Sequence, residues 1–225
     1  MDTKGPPAAD FGAIVGGRTR GRAGRTTIGP ALLGRVLRLS TLAPSAYNLQ
    51  PWRFLVVRDG VGRRAIVACA LDRAGLAGAP VYVVVLGAKN AERSHCGAAA
   101  AEAVARGALT PDGAAQVTDR ARARFAALSD AGRGTWASKT ATLAAAALMA
   151  AAESLGVSAG WADAFDEPRL KHAFGVPEDH VVSGVVALGR AREPGPFPGR
   201  FGLDEVAFDG RFGAPFPPDH AHENE

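Results

Sequence analysis

The sequence predicts a mixed domain of helices and strands, on three observations. Two apolar runs, at 81–86 and 181–189, are too continuously hydrophobic for half-exposed strands and read as interior strands of a sheet. A leucine-rich segment near residue 35 repeats its apolar residues at helical spacing. A long alanine-rich segment ending at Gly156 is apolar nearly all round, the pattern of a helix inside a protein or between subunits.

In chain order, Leu32, Leu33, Val36, Leu37 and Ser40 share one helical face while Arg35 and Arg38 take the other. An amphipathic helix therefore delivers the chain to Pro44, which cannot continue it. The alternating run from Trp52 reads as a strand closed by the turn signal Asp59-Gly60. A helix follows over about 62–70, and Ala79-Pro80 introduces the strand at 81–86. Residues 91–108 are alanine-rich and helical by propensity. Thr110-Pro111 starts a further helix to about 128, with threonine as cap and proline in the first turn. Residues 129–134 read as a break before the long helix at 135–155, which Gly156 terminates. Residues 160–166 are expected as a loop, and a short helix begins at Asp166 and ends near Gly175. The strand at 181–189 follows, and beyond Pro194, Pro196 and Pro198 a brief strand is expected at 206–208.

At 225 residues the chain can bury one substantial core, and we read one domain over 13–212 with flexible, Pro- and Gly-rich ends at 1–12 and 213–225. The net charge of +4 is small and its arginines are dispersed, so it suits an anionic small molecule as well as nucleic acid or a membrane surface. Cys69 and Cys96 are too few for a disulfide framework and lack metal-ligand spacing, so both read as free thiols. The first residues lack the order of a signal peptide, and the most apolar window, 141–152, falls short of the ~20 residues a membrane span needs. A cytoplasmic location is the expectation.

The chemistry centres on residues 43–57, Ala-Pro-Ser-Ala-Tyr-Asn-Leu-Gln-Pro-Trp-Arg-Phe-Leu-Val-Val, a polar loop held between a helix and a strand. Ser45, Asn48 and Gln50 offer hydroxyl and amide groups to a ligand rich in carbonyls and ring nitrogens. Upstream, Arg18, Arg20, Arg22 and Arg25 cluster among glycines, which alone reads as a nucleic-acid-binding arm. Other constellations fail: Ser45 lacks a G-x-S-x-G elbow, the N-terminal glycines do not form G-x-G-x-x-G after a strand, and His95-Cys96 and His220 with His222 are isolated pairs.

The run at 43–57 closely resembles the A-P-S-x-x-N-x-Q-P-W-x-F-x-V-V signature of the nitroreductase family, flavoproteins that hold FMN at a homodimer interface. The resemblance extends over about 18–212. It implies an α+β fold, a mixed, largely antiparallel sheet flanked by helices, in a domain-exchanged homodimer whose C-terminal segment wraps the partner. Pro44, Ser45, Ala46 and Asn48 would then hold the flavin ring. Arg18-Thr19 falls where the family's Arg-Ser pair grips the flavin phosphate. The second arginine of that motif falls on Gly21, flanked by Arg20 and Arg22, either of which would replace it. Arg200, in Arg-Phe-Gly-Leu-Asp-Glu-Val, matches the family's closing Arg-x-x-Leu-Glu-x-Val and would also reach the phosphate.

Residues 161–166 match the position where relatives set backbone N–H groups against flavin N5, with the usual Glu-Gly replaced by Asp163-Ala164. Asp163 as cap of the following helix outweighs Asp163 as a catalytic acid. Tyr47, Trp161 and Phe165 would line the substrate pocket or belong to the core. Arg73 lies near where relatives present a cation to the pyrimidine edge, though a surface charge is the better reading. The implied activity passes electrons from NAD(P)H to a nitroaromatic, quinone or similar acceptor by a ping-pong mechanism, with no catalytic side chain. The implied partners are a second copy and a small acceptor, without nucleic acid, membrane or metal. A related flavin enzyme with ring-cleaving or azoline-oxidising chemistry shares the same cofactor motifs, and an arginine-armed nucleic-acid-binding protein is the rival from a different class.

Overall fold

Helix α1 (Pro30–Ser40) begins with proline in its first turn, where the missing N–H would have no partner, and buries Leu33, Val36 and Ser40 on the face that the leucine spacing marks out. It leads into a four-stranded sheet made of β1 (Trp52–Val57), β2 (Val81–Ala88), β3 (Val157–Ala162) and β4 (His180–Arg190) in the order β1-β2-β4-β3. The computed structural model describes residues 27–72, 76, 78–190 and 199–216. The chain divides into two compact units, Met1–Gly195 and Pro196–Glu225.

Strand β2 is buried at every position, as its unbroken apolar run requires of a strand with neighbours on both sides and helices on both faces. Val81, Val83 and Val85, with Val186 and Leu188, pack towards α1 and the long helix α6 (Asp130–Ser154), which contributes Ala141, Ala144, Ala145, Leu148 and Ala152. The alternate residues Tyr82, Val84, Leu86, Val185 and Ala187 pack towards α2 (Gly60–Cys69) and α7 (Glu167–Phe174) through Ile66, Cys69 and Leu170. Helix α6 approaches the sheet so closely that a Cβ at Gly87 would lie 2.6 Å from the Ala137 carbonyl oxygen. Every ladder among the described residues is antiparallel, so the parallel pairing expected of a mixed sheet is not among them.

A third apolar cluster joins Leu49, Ala88, Ala91, Cys96, Ala121 and Phe125 beneath the polar loop. It is built by α3 (Ala91–Ser94), α4 (Cys96–Ala105) and α5 (Pro111–Ala126). The expected continuous helix at 91–108 is split at His95, whose ring is drawn into contacts described below. Thr110 caps α5 as expected, its hydroxyl accepting from the Gly113 N–H at 3.1 Å. Trp136 meets Phe125 edge-on at 4.5 Å. Glu92 and Arg133 pair beside it, and Arg133 also donates to the Phe125 carbonyl at 2.5 Å.

Three boundaries differ from expectation. Helix α6 starts at Asp130, because Ser129 accepts from the Gly132 N–H at 3.1 Å and caps a turn whose glycines read as a break. No strand is expected between Gly156 and Asp166, yet Val157–Ala162 form β3, in which Gly160, Trp161 and Ala162 pair with Ala187, Val186 and Val185. In the second unit the strand expected at 206–208 is replaced by α8 (Leu203–Val206), where Asp204 and Glu205 sit in the first turn and complement the helix dipole. Phe208 keeps a single bridge to Pro215, and its ring lies 4.6 Å from that of Phe212. No helix among the described residues is long and apolar enough to cross a membrane.

Candidate functional site

The loop between α1 and β1 turns tightly over residues 46–48 and places three non-glycine residues in the left-handed region: Tyr47 at φ 55, Asn48 at φ 53 and Gln50 at φ 44. Each such residue costs roughly 1–2 kcal/mol, so the conformation persists because its surroundings hold it. The Asn48 N–H donates to the Ser45 carbonyl at 3.0 Å, and the Leu49 N–H donates to the Ala46 carbonyl at 3.2 Å. The Gln50 N–H donates to the Ser45 hydroxyl oxygen at 3.0 Å. Gln50 Nε2 donates to the Asn48 carbonyl and to Asn48 Oδ1 at 3.2 and 3.1 Å. Leu49 points inward and is fully buried in the third cluster.

Below the loop, His95 Nδ1 lies 2.8 Å from the Leu49 carbonyl, and Nε2 lies 2.5 Å from Arg53 Nη2. A guanidinium has donors and no acceptor, so Nε2 must accept and Nδ1–H must donate to Leu49. His95 is therefore the neutral Nδ1–H tautomer. Arg53 Nη1 donates to the carbonyls of Trp52 at 2.7 Å and Gln50 at 3.3 Å. Burial pulls the Arg53 guanidinium below its ordinary range, and the Asp179 carboxylate acts in the opposite sense. These bonds use lone pairs of Ser45 and Asn48 and leave the Ser45 hydroxyl proton and the Asn48 amide N–H groups to donate. A cleft of about 730 Å³ lies beside them, lined by Asn48, Gln50, Trp52, Arg53, Phe54 and His95 among others.

The structure thus gathers Pro44, Ser45, Ala46 and Asn48 on one loop, with Asn48 at the cleft. The other anticipated residues stand elsewhere. Trp161 is in β3, its indole lying across Gly184 so closely that a Cβ there would meet the ring at 2.4 Å. Asp163 is exposed and does not cap α7; Asp166 does, accepting from the Arg169 N–H at 3.1 Å. The Ala164 carbonyl accepts from the Leu71 N–H at 2.9 Å, and Phe165 bridges to Ala70, so this link is fastened to the end of α2. Tyr47, Trp161 and Phe165 each pack against a different apolar cluster. Arg200 belongs to the second unit, where its Nη1 donates to the Gly199 carbonyl at 2.6 Å. Arg18, Thr19, Arg20, Arg22 and Arg73 lie outside the described residues.

Arg53 and His95 are the site residues that sequence reasoning misses. They are 42 positions apart, and no spacing rule connects them. The single hint is an imidazole in the middle of an alanine-rich helical stretch.

Comparison with known proteins adds the following. The family model described as the Nitroreductase family matches residues 25–190. A Thermus thermophilus protein named NADH dehydrogenase is 32% identical over 175 residues, covering 78% of this chain and 83% of that protein. A Rhodospirillum rubrum protein named 5,6-dimethylbenzimidazole synthase is 28% identical over 187 residues, covering 74% of each. Among solved structures, a protein from Exiguobacterium sibiricum in complex with FMN superposes with a TM-score of 0.80 at 23% identity, over 90% of this chain and 98% of that one.

Proposed function

The chain belongs to the nitroreductase family, and on that premise we propose that it is an FMN-dependent oxidoreductase carrying electrons from NAD(P)H to a nitroaromatic, quinone or similar acceptor. The observation that carries this reading is the pinned loop at 45–50, which holds its hydroxyl and amide groups in one geometry and sets Asn48 and Gln50 at the edge of a cleft. That donor set fits the carbonyl and nitrogen edge of a flat ring system, and the cleft's volume of about 730 Å³ admits one.

In this reading Pro44, Ser45, Ala46 and Asn48 hold the ring, with Ser45 and Asn48 donating to it. Backbone groups at Asp163 and Ala164 approach its edge, and Tyr47, Trp161 and Phe165 bound the acceptor pocket. Arg18, Thr19, Arg200 and either Arg20 or Arg22 hold the phosphate, since guanidinium forks offer paired donors and permanent charge. When bound, FMN supplies hydride acceptance at N5 and electron return to the acceptor, so the two substrates take turns at one site in a ping-pong sequence. The chain's own part is to bind, orient and exclude water. No side chain acts as acid or base at the reacting atoms.

The reading extends to a single domain over 13–212 in a domain-exchanged homodimer. The two free, buried cysteines suit a reducing cytoplasm. The Rhodospirillum rubrum relative, named a synthase of a benzimidazole, favours a second reading in which the same cofactor site serves a ring-altering reaction.

The test is direct. Purified protein reconstituted with FMN should show a flavin absorbance band and oxidise NADH or NADPH when a quinone is added. Arg18→Ala combined with Arg200→Ala should yield colourless protein, and unchanged flavin content in that double variant would refute the phosphate assignment. Flavin binding without nicotinamide oxidation would move the assignment to the second reading.

A further inference from the structure

A second cleft, of about 540 Å³, lies between α2 and the start of β2, on the face of the sheet that Tyr82 occupies. Its walls include Val67, Ala68 and Ala79, with Tyr82 as the buried floor. Two guanidinium groups stand at it: Arg63, half-buried, and Arg64, exposed, whose Nη1 lies 3.3 Å from where a Cβ at Gly60 would be. None of the described lining residues is acidic. Asp59, whose charge acts on Arg63, is engaged as the cap of α2, accepting from the Gly62 N–H at 2.8 Å. The Tyr82 hydroxyl donates to the Leu76 carbonyl and so is spent.

Arg63 is the informative residue. Its Nη1 donates to the Ala79 carbonyl at 3.3 Å, while its Nε–H is buried and meets no acceptor. A buried donor without a partner is costly, and it is rare in a settled structure unless something else supplies the acceptor. With Nη1 committed to the backbone, the remaining edge of the guanidinium, Nε with Nη2, is the one that a carboxylate takes through two parallel hydrogen bonds. Presenting that edge to a ligand in the cleft takes a rotation of the side chain in which the bond to the Ala79 carbonyl is given up for bonds to the ligand. Apolar walls of this size next to a single fork exclude a bare inorganic ion as the best occupant and favour a charged head on an apolar body.

We infer that the cleft between α2 and β2 binds a small monocarboxylate with an apolar body about the size of one aromatic ring, its carboxylate on the Nε/Nη2 edge of Arg63 with Arg64 adding charge. This site is separate from the loop at 45–50 and does not depend on the cofactor assignment.

The probe is benzoate, titrated into the purified full-length chain and followed by the arginine Nε–H resonances in a proton–nitrogen correlation spectrum. The Arg63 signal is identified as the one missing from Arg63→Gln. Benzoate should shift that signal saturably, and Arg63→Gln should weaken benzoate binding in calorimetry by roughly tenfold, the effect of losing charge-assisted bonds. Acetate, which has the head without the ring, should bind at least about tenfold more weakly than benzoate. Ala68→Phe fills the cleft while leaving both arginines, and should abolish the shift; it carries the test if Arg63→Gln fails to fold. An Arg63 signal that ignores benzoate, or affinity unchanged in both variants, overturns the proposal.

Discussion

Replacing His95 by alanine tests whether the polar loop is held from below. The imidazole accepts from Arg53 at 2.5 Å and donates to the Leu49 carbonyl at 2.8 Å, so the substitution deletes two hydrogen bonds in a partly buried setting. One is charge-assisted and contributes about 1.5–3 kcal/mol; the other is neutral and contributes about 0.5–1.5 kcal/mol. The expected loss of stability is therefore about 2–4.5 kcal/mol, read as a shift of the urea midpoint. The left-handed residues of the loop carry strain of roughly 1–2 kcal/mol each, which would then be held at Leu49 only by its burial in the third cluster and its N–H bond to the Ala46 carbonyl.

The loop should relax towards ordinary backbone angles. Amide exchange at Asn48, Leu49 and Gln50 should accelerate, because their bonds to Ser45 and Ala46 depend on the turn. His95 also precedes α4, so a general fraying of that helix is the competing explanation. Exchange at the amides of α4 separates the two: the reasoning requires the loop amides to change more. On the proposed function, the FMN dissociation constant should rise about tenfold or more, since only the fraction of molecules with the loop formed can bind. A loss below about 0.5 kcal/mol, with unchanged exchange at Leu49 and Gln50, would refute the claim that His95 holds the loop.

Two further outcomes follow from other parts of the chain. Glu92 is 4% exposed and its partner Arg133 is 11% exposed, so Arg133→Met leaves a buried carboxylate with only the exposed Arg93, 3.6 Å away, and should cost about 3 kcal/mol in urea unfolding; adding Glu92→Gln should recover much of that, and no recovery would show that the loss lies in packing against Phe125 instead. The Gly62 N–H holds the Asp59 carboxyl below its ordinary range, so the stabilisation it brings is present above the unfolded-state value and lost as pH falls through the depressed one. Thermal unfolding should therefore show the advantage of wild type over Asp59→Ala shrinking in acid, while Asp59→Asn, which keeps a capping oxygen, should differ from Asp59→Ala by an amount that does not change with pH.

Much of the scaffold is legible because single residues decide it locally. The unbroken run at 81–86 can only be an interior strand, Thr110-Pro111 starts a helix by capping and by proline's fixed φ, and Gly156 ends one at φ +72. Competition between local preferences hides the start of α6, where the Ser129 cap outweighs two glycines. Dependence on a distant partner hides all of β3: Val157–Ala162 become strand because β4, some way downstream, offers its edge and Gly184 leaves room for the Trp161 indole. The polar composition of the candidate site is visible in residues 43–57, but its backbone is not. Nothing in the preferences of tyrosine or glutamine announces a positive φ. The contact between Arg53 and His95 is equally silent, being purely tertiary.

Those two silent features belong together. A loop that must offer donors to a ligand can satisfy only some of its polar groups internally. Here the Gln50 N–H and amide are spent on Ser45 and Asn48, and the left-handed turn sets Asn48 at the cleft at an energetic cost. That cost is offset from the far side, by a leucine driven into an apolar cluster and a carbonyl tied to a neutral histidine that an arginine keeps in one tautomer. The link at 163–165 solves the opposite problem. It is fastened by its own backbone bonds to Leu71 and Ala70, so the exposed side chains at 163 and 164 are free to vary, which is why Asp163-Ala164 can stand there without a change of fold. Substitutions should therefore be tolerated at Asp163 and resented at His95.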